Sequence, residues 1–139
     1  MIKKSVILLS LSSFILTACS DKLEITRLKG AYEGSFIYHD LASSIAPPPS
    51  GPVVLTFTEN AYLSTGNPNH IPGGGSGIFE LGDHGTIKFE DQNVWTADFD
   101  WNLILNGNYK YKLKGDSLIL KKELQEGVKT YEYRLKRTE

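Results

Sequence analysis

The chain has 139 residues, 15 of them basic and 16 acidic, with a formal charge of −1, 40% hydrophobic residues and a single cysteine. A near-neutral balance argues against a nucleic-acid partner, and one cysteine excludes an internal disulfide framework. The length suits one domain with a modest core.

Met1-Ile2-Lys3-Lys4 is a short basic start, and Val6 to Leu16 is an apolar run too short to cross a bilayer as a helix of roughly 20 residues. That is the layout of a secretory signal peptide. It ends in Leu16-Thr17-Ala18-Cys19, which resembles the lipobox of bacterial lipoproteins. The resemblance implies cleavage before Cys19, a diacylglycerol thioether on its sulfur and acylation of the new amino terminus. Several acyl chains on one residue make anchoring effectively permanent. The other readings of a lone cysteine are a nucleophile, which needs a histidine in a folded pocket, or a buried core residue. The expected organisation is a signal peptide over 1–18, a lipidated amino terminus and spacer over 19–29, and a β-barrel domain over 30–139. Loss of Lys3 and Lys4 lowers the basic count from 15 to 13 against 16 acidic residues, a formal −3. By the same resemblance, Ser20 after the cysteine is compatible with transport to an outer membrane.

Beyond the spacer the pattern is alternation with period two, bounded by Gly, Pro, Asn and Asp, which predicts strands. They are placed at Gly30 to Tyr38, Pro52 to Glu59, a short one at Ala61 to Ser64, Gly77 to Leu81, Thr86 to Glu90, Val94 to Leu105, Gly107 to Lys114, Ser117 to Glu123 and Val128 to Lys136. From Trp95 to Leu113 every odd position is apolar or Gly. So long a run must bend near Asn106-Gly107, and a two-residue hairpin there would turn Tyr109 and Tyr111 outward. A longer loop, or a strand kinked at Gly107, keeps the parity. A turn at Gly115-Asp116 pairs Leu113 with Leu118 and Tyr111 with Leu120. A turn at Glu126-Gly127 pairs Leu120 with Tyr133 and Leu118 with Leu135.

The predicted fold is therefore all-β, an antiparallel meander of about eight or nine strands closed into a small barrel or packed as a sandwich. Gly30-Ala31-Tyr32 resembles the Gly-x-Trp opening of lipocalin-like barrels, with Tyr in place of Trp, and "NGNYKYKLKGDSLIL" resembles a late hairpin of bacterial lipocalin-like lipoproteins. This likeness implies an up-and-down barrel whose mouth takes an apolar ligand.

Two stretches exceed hairpin needs, residues 39–51 with Pro47-Pro48-Pro49 and residues 65–76 with a glycine run. Such loops are functional or simply mobile. The run "PGGGSG" invites a phosphate-loop reading, but it lacks the Gly-Lys-Ser/Thr ending and a following helix. His39, His70 and His84 fall in predicted turns without metal-ligand spacing, so no metal or other cofactor is expected. Asp98 and Asp100 share a strand face with Asn102, beside Phe99 and Trp101, and could serve acid–base chemistry in a sugar groove. With the odd face inward they point to solvent instead. Nine of the 13 basic residues lie between Lys110 and Arg137, a stripe that reads as a solvated strand face or as a contact with anionic headgroups. Trp95, Phe99, Trp101, Tyr109, Tyr111, Tyr131 and Tyr133 are the inward aromatics, lining a cavity or filling it.

The resulting expectation is a non-enzymatic, lipid-anchored barrel of the bacterial envelope. It is expected to bind a small apolar or amphipathic molecule or to support envelope structure. The alternative is a protein-interaction module, such as a hydrolase inhibitor, acting through the loops at 39–51 and 65–76. Oligomeric state is open.

Overall fold

The structure is a computed structural model that describes residues 17–139 except Ala97, and of residues 17–21 the backbone alone. Residues 1–16 of the expected leader over 1–18, and the Cys19 sulfur, lie outside the described residues. Helix α1 (Thr17–Leu28) leads into β1 (Gly30–Asp40), β2 (Ser50–Phe57), β3 (Ala61–Ser64), β4 (Gly75–Gly82), β5 (Thr86–Asp91), a single 3-10 turn (Trp101–Leu103), β6 (Gly107–Lys114), β7 (Ser117–Leu124) and β8 (Lys129–Arg137). Each strand pairs antiparallel with its chain neighbours, and β1 pairs with β8 to close an eight-stranded barrel. Closure leaves no sheet edge for another chain to extend.

The expected registers hold in the last three strands. Leu113 faces Leu118, Tyr111 faces Leu120, Leu120 faces Tyr133 and Leu118 faces Leu135. Gly115 takes φ +57 in the two-residue β6–β7 turn, a conformation that glycine adopts without a Cβ penalty. The β1–β8 seam runs from Tyr32 opposite Arg137 to Asp40 opposite Lys129. Its closeness depends on Gly34, where a Cβ would fall 2.0 Å from the Arg134 carbonyl oxygen.

The barrel has unlike ends. At one, the connections 58–60, 83–85 and 115–116 are two or three residues long; at the other lie 41–49, 65–74, 92–106 and 125–128. Helix α1 enters at the short-turn end and buries Leu28 completely. The Arg137 guanidinium lies 4.7 Å over the Tyr32 ring and donates to the Tyr32 hydroxyl at 2.5 Å. It also donates to the carbonyls of Arg27 and Lys29, tying the helix end to the last strand. One side chain thus meets several acceptors left over where the helix stops.

Helix α1 runs through most of the span 19–29, and its last turn holds Arg27 where a cation suits the helix dipole. One expectation is corrected. Residues 94–105, read as a strand, are a loop with the 3-10 turn. Asp100 caps that turn, its Oδ1 accepting from the Asn102 amide at 3.0 Å and from the Asn102 Nδ2 at 2.9 Å. Local bonds of this kind let Asp and Asn pull the backbone away from a sheet ladder. The strand count is therefore eight, and Gly107, at φ +87, opens β6 opposite Phe89.

Candidate ligand-binding end

Even positions of β1, β7 and the last hairpin's odd partners converge on an aromatic interior. Ring contacts run continuously along it: Tyr32 to Phe57 at 5.9 Å, Phe57 to Phe89 at 6.2 Å, Phe89 to Tyr109 at 5.6 Å and Tyr109 to Tyr133 at 6.0 Å. The row continues from Tyr133 to Phe36 at 4.8 Å, Phe36 to Tyr131 at 6.4 Å and Tyr131 to Tyr38 at 5.0 Å. Most are edge-to-face or tilted, geometries in which an aromatic pair contributes about 0.5–1.5 kcal/mol beyond its burial. The bore is thus filled with rings from the plugged end towards the loops.

Of the expected inward aromatics, Tyr109, Tyr131 and Tyr133 take that place and are buried. Tyr111 is half-buried against the core and its hydroxyl donates to Glu24 Oε2 on α1. Trp95, Phe99 and Trp101 are corrected: they belong to the loop 92–106, and none joins the buried core. The Trp95 indole donates to Asp91 Oδ2 at 2.5 Å, Phe99 stacks on His70 at 4.3 Å, and Trp101 is 57% exposed.

What that loop sends inward is aliphatic. Ile104 and Leu105 are buried and Leu103 packs on the core. Backbone bonds hold this stretch to the glycine run: Gly73 N–H to Leu103 O at 2.9 Å and Leu105 N–H to Gly74 O at 2.8 Å. The glycines are needed for this seat, because a Cβ on Gly73 would lie 3.0 Å from the Phe99 ring and Gly74 takes φ +89. The first glycines of "PGGGSG" are therefore a docking strip for the neighbouring loop, and from Gly75 the run is already strand β4, not a helix. The loop 92–106 acts as a cover on the barrel mouth.

Polar groups gather beneath the cover. On β7, Leu118 and Leu120 point inward, and the same parity brings Lys122 in. Its ammonium sits 5.0 Å from the Tyr109 ring centroid and 5.1 Å from that of Tyr131, and donates to the Asn106 carbonyl at 3.3 Å. No carboxylate among the described residues lies within ion-pair distance of it. Burial lowers its pKa, and the charge of Asp100 acts in the opposite direction. Asp100 Oδ2 accepts a long bond from the Tyr131 hydroxyl at 3.4 Å. The Tyr62 hydroxyl donates to Leu105 O at 2.6 Å. The buried hydroxyls of Tyr109 and Tyr133 interact with each other and have no further partner, and the Ser64 hydroxyl is buried without a partner. Burial raises the pKa of Tyr62, Tyr109, Tyr131 and Tyr133. Each unsatisfied buried hydroxyl costs about 1–3 kcal/mol.

Lys122, Tyr62 and Ser64 went unremarked in the sequence. Strand parity pointed to Lys122, two residues beyond Leu120, but a lysine near a strand end reads as a surface residue. The other lysines do behave so: Lys110, Lys112, Lys114 and Lys121 are exposed. His39, His70 and His84 stand apart, His84 in the turn at the plugged end, and no group of three or more metal-binding side chains occurs among the described residues.

Outside the bore, a concavity of about 370 Å³ lies under the proline loop, lined by residues including Tyr38, Asp40, Leu41, Ile45 and Pro48. Another of about 540 Å³ runs along the outer wall past Glu33, Pro52, Val54, Asn67 and Lys136. The class of protein defined by this geometry is a closed, eight-stranded meander barrel with one plugged and one covered end. No family model, curated protein or solved structure matches the chain.

Proposed function

We infer that this protein is a lipid-anchored barrel of the bacterial cell envelope that binds a small apolar or amphipathic molecule at its loop end. The anchor rests on the lipobox resemblance of residues 16–19. The observation that supports binding is the group under the cover: a half-buried ammonium with no close carboxylate and two buried tyrosine hydroxyls whose only partner is each other, where a packed barrel needs only apolar atoms. Polar groups converging on an apolar surround are what orient a ligand in a pocket. Anchoring at Cys19 would put the membrane on the side of α1 and leave the loops facing away, with outer-membrane placement favoured by Ser20.

Native mass spectrometry of protein extracted from its own envelope tests this reading. A co-purifying small molecule supports it, and a bare chain under conditions that preserve ligands argues against it. The lipid tether has a separate test, since Cys19→Ser should abolish labelling by radioactive palmitate, and unchanged labelling would overturn it.

A second reading, protein recognition through the loops, is favoured by one observation. Leu41 at 79%, Ile45 at 67% and Val94 at 91% exposure stand on the loop end together with Trp101. A stoichiometric protein in the same mass spectrum would favour it.

A further inference from the structure

Resting on the small-molecule reading above, we propose that loop 92–106 is a displaceable cover whose Asp100 and Leu105 occupy the site of a small amphipathic carboxylate, with Lys122 as that carboxylate's countercharge. The cover carries both halves of such a ligand. Leu103 and Leu105 place apolar side chains against the aromatic bore, and Asp100 brings a carboxylate to the Tyr131 hydroxyl.

The fit of the charged half is poor. Asp100 reaches Tyr131 only at 3.4 Å, spends its other oxygen on the cap of the 3-10 turn, and does not reach ion-pair distance of Lys122. Lys122 is left with one carbonyl at 3.3 Å and two ring faces, and the hydroxyls of Tyr109 and Tyr133 have no partner beyond each other. A free carboxylate has acceptor capacity for several donors at once, and bonds in which donor or acceptor is charged are about twice as strong as neutral ones. A ligand of this class would therefore satisfy donors that the cover leaves unmet. Its tail would replace the leucines, so its apolar part is of the order of one aromatic ring with a short chain.

The cover's attachments are compatible with release. They are backbone bonds and one bridge pair to the glycine run, the Tyr62 hydroxyl on the Leu105 carbonyl, and the buried side chains of Ile104 and Leu105, without a continuous strand ladder. A ligand that binds only the open form has its apparent affinity reduced by the open fraction, so weakening the cover should tighten binding. Asp100→Asn removes the competing charge while keeping a residue that caps well.

The test uses the lipoprotein in lipid nanodiscs and isothermal titration calorimetry with 4-phenylbutyrate, against 4-phenylbutyramide as the uncharged control of the same shape. The expected result is saturable binding of the acid, about tenfold tighter than the amide, the scale of one charge-assisted contact. Asp100→Asn should tighten acid binding by about tenfold. Lys122→Met should remove the preference for acid over amide. Equal binding of acid and amide, an unchanged affinity in Asp100→Asn, or no saturable binding of the acid by either protein would overturn the proposal. A neutral molecule found by native mass spectrometry would leave the broader reading standing while this one fails.

Discussion

At the plugged end, connections of two or three residues keep the strands in continuous register, Leu28 is buried, and Arg137 ties helix α1 to the last strand through three acceptors and a ring face. At the covered end a connection of 15 residues crosses the mouth on a handful of backbone bonds and shelters a lysine without a close carboxylate and a Ser64 hydroxyl without a partner. The first arrangement satisfies nearly every group it buries, whereas the second leaves donors unmet. In a single fold, that contrast separates a part that maintains the barrel from a part able to change. Local stability in proteins varies in the same way, with binding segments drawn from the weakly held regions.

The largest expected effect tests whether the seam holds the barrel independently of either end. Gly34→Ala sets a methyl against the Arg134 carbonyl between β1 and β8. A loss of about 4 kcal/mol or more in urea unfolding, or failure to fold, is expected, since neither strand can shift without losing its ladder.

Alkaline pH should come next and act across both ends. The phenols of Tyr32, Tyr38, Tyr62, Tyr109, Tyr131 and Tyr133 all have their pKa raised in the fold, burial being the largest cause in each. Groups raised above their unfolded value of about 10 contribute stability that is fully present below that pH and is lost as pH climbs towards the folded values. Tyrosinate absorbance should therefore rise together with loss of the β signal in circular dichroism. Phenols ionising one by one in a folded barrel would contradict the packing described.

Arg137→Ala should weaken the plugged end by about 2–4 kcal/mol, from lost charge-assisted bonds and the cation–π contact, as measured by denaturant midpoint. Arg137→Lys should recover less than half, because an ammonium cannot span acceptors that the planar guanidinium meets at once.

The smallest effect belongs to the covered end. Lys122→Met should leave stability within about 1 kcal/mol of the parent or raise it at neutral pH, because an ammonium without a close carboxylate gives up hydration for little return. The sign with pH follows from the lowered folded pKa: the unfolded chain binds more protons between the folded value and about 10.4, so the wild type gains on the variant as pH rises through that window. The groups facing it are Asp100 on the cover and the rings of Tyr109 and Tyr131. A loss of several kcal/mol on this substitution would mean that Lys122 is a structural keystone, and the contrast between the ends would fall.

Much of the plugged barrel could be read from residues alone, because period-two alternation and two-residue turns are local signals. Leu113, Leu118 and Leu135 found their partners by counting from Gly115-Asp116 and Glu126-Gly127, although the second turn is a four-residue loop over 125–128. The covered end was harder. Trp95, Phe99 and Trp101 alternate as a strand would, and only the capping chemistry of Asp100 and Asn102, together with the need of β5 to pair directly with β6, turns that stretch into a loop. Helix α1 straddles the expected leader boundary and has little apolar periodicity of its own, so its position depends on long-range contacts of Leu28 and Arg137. Lys122 is a case where parity was sufficient and residue type misled.

Amide hydrogen exchange of the full chain compares the two ends in one experiment. The amides of Gly73 and Leu103 to Leu105, bonded in the cover and its seat, should exchange at least about 100-fold faster than those of Leu118 and Leu135 in the ladder, through an opening that leaves the barrel intact. Exchange of both sets with the same free energy, so that the cover lifts only when the whole barrel unfolds, would contradict a displaceable cover at the loop end.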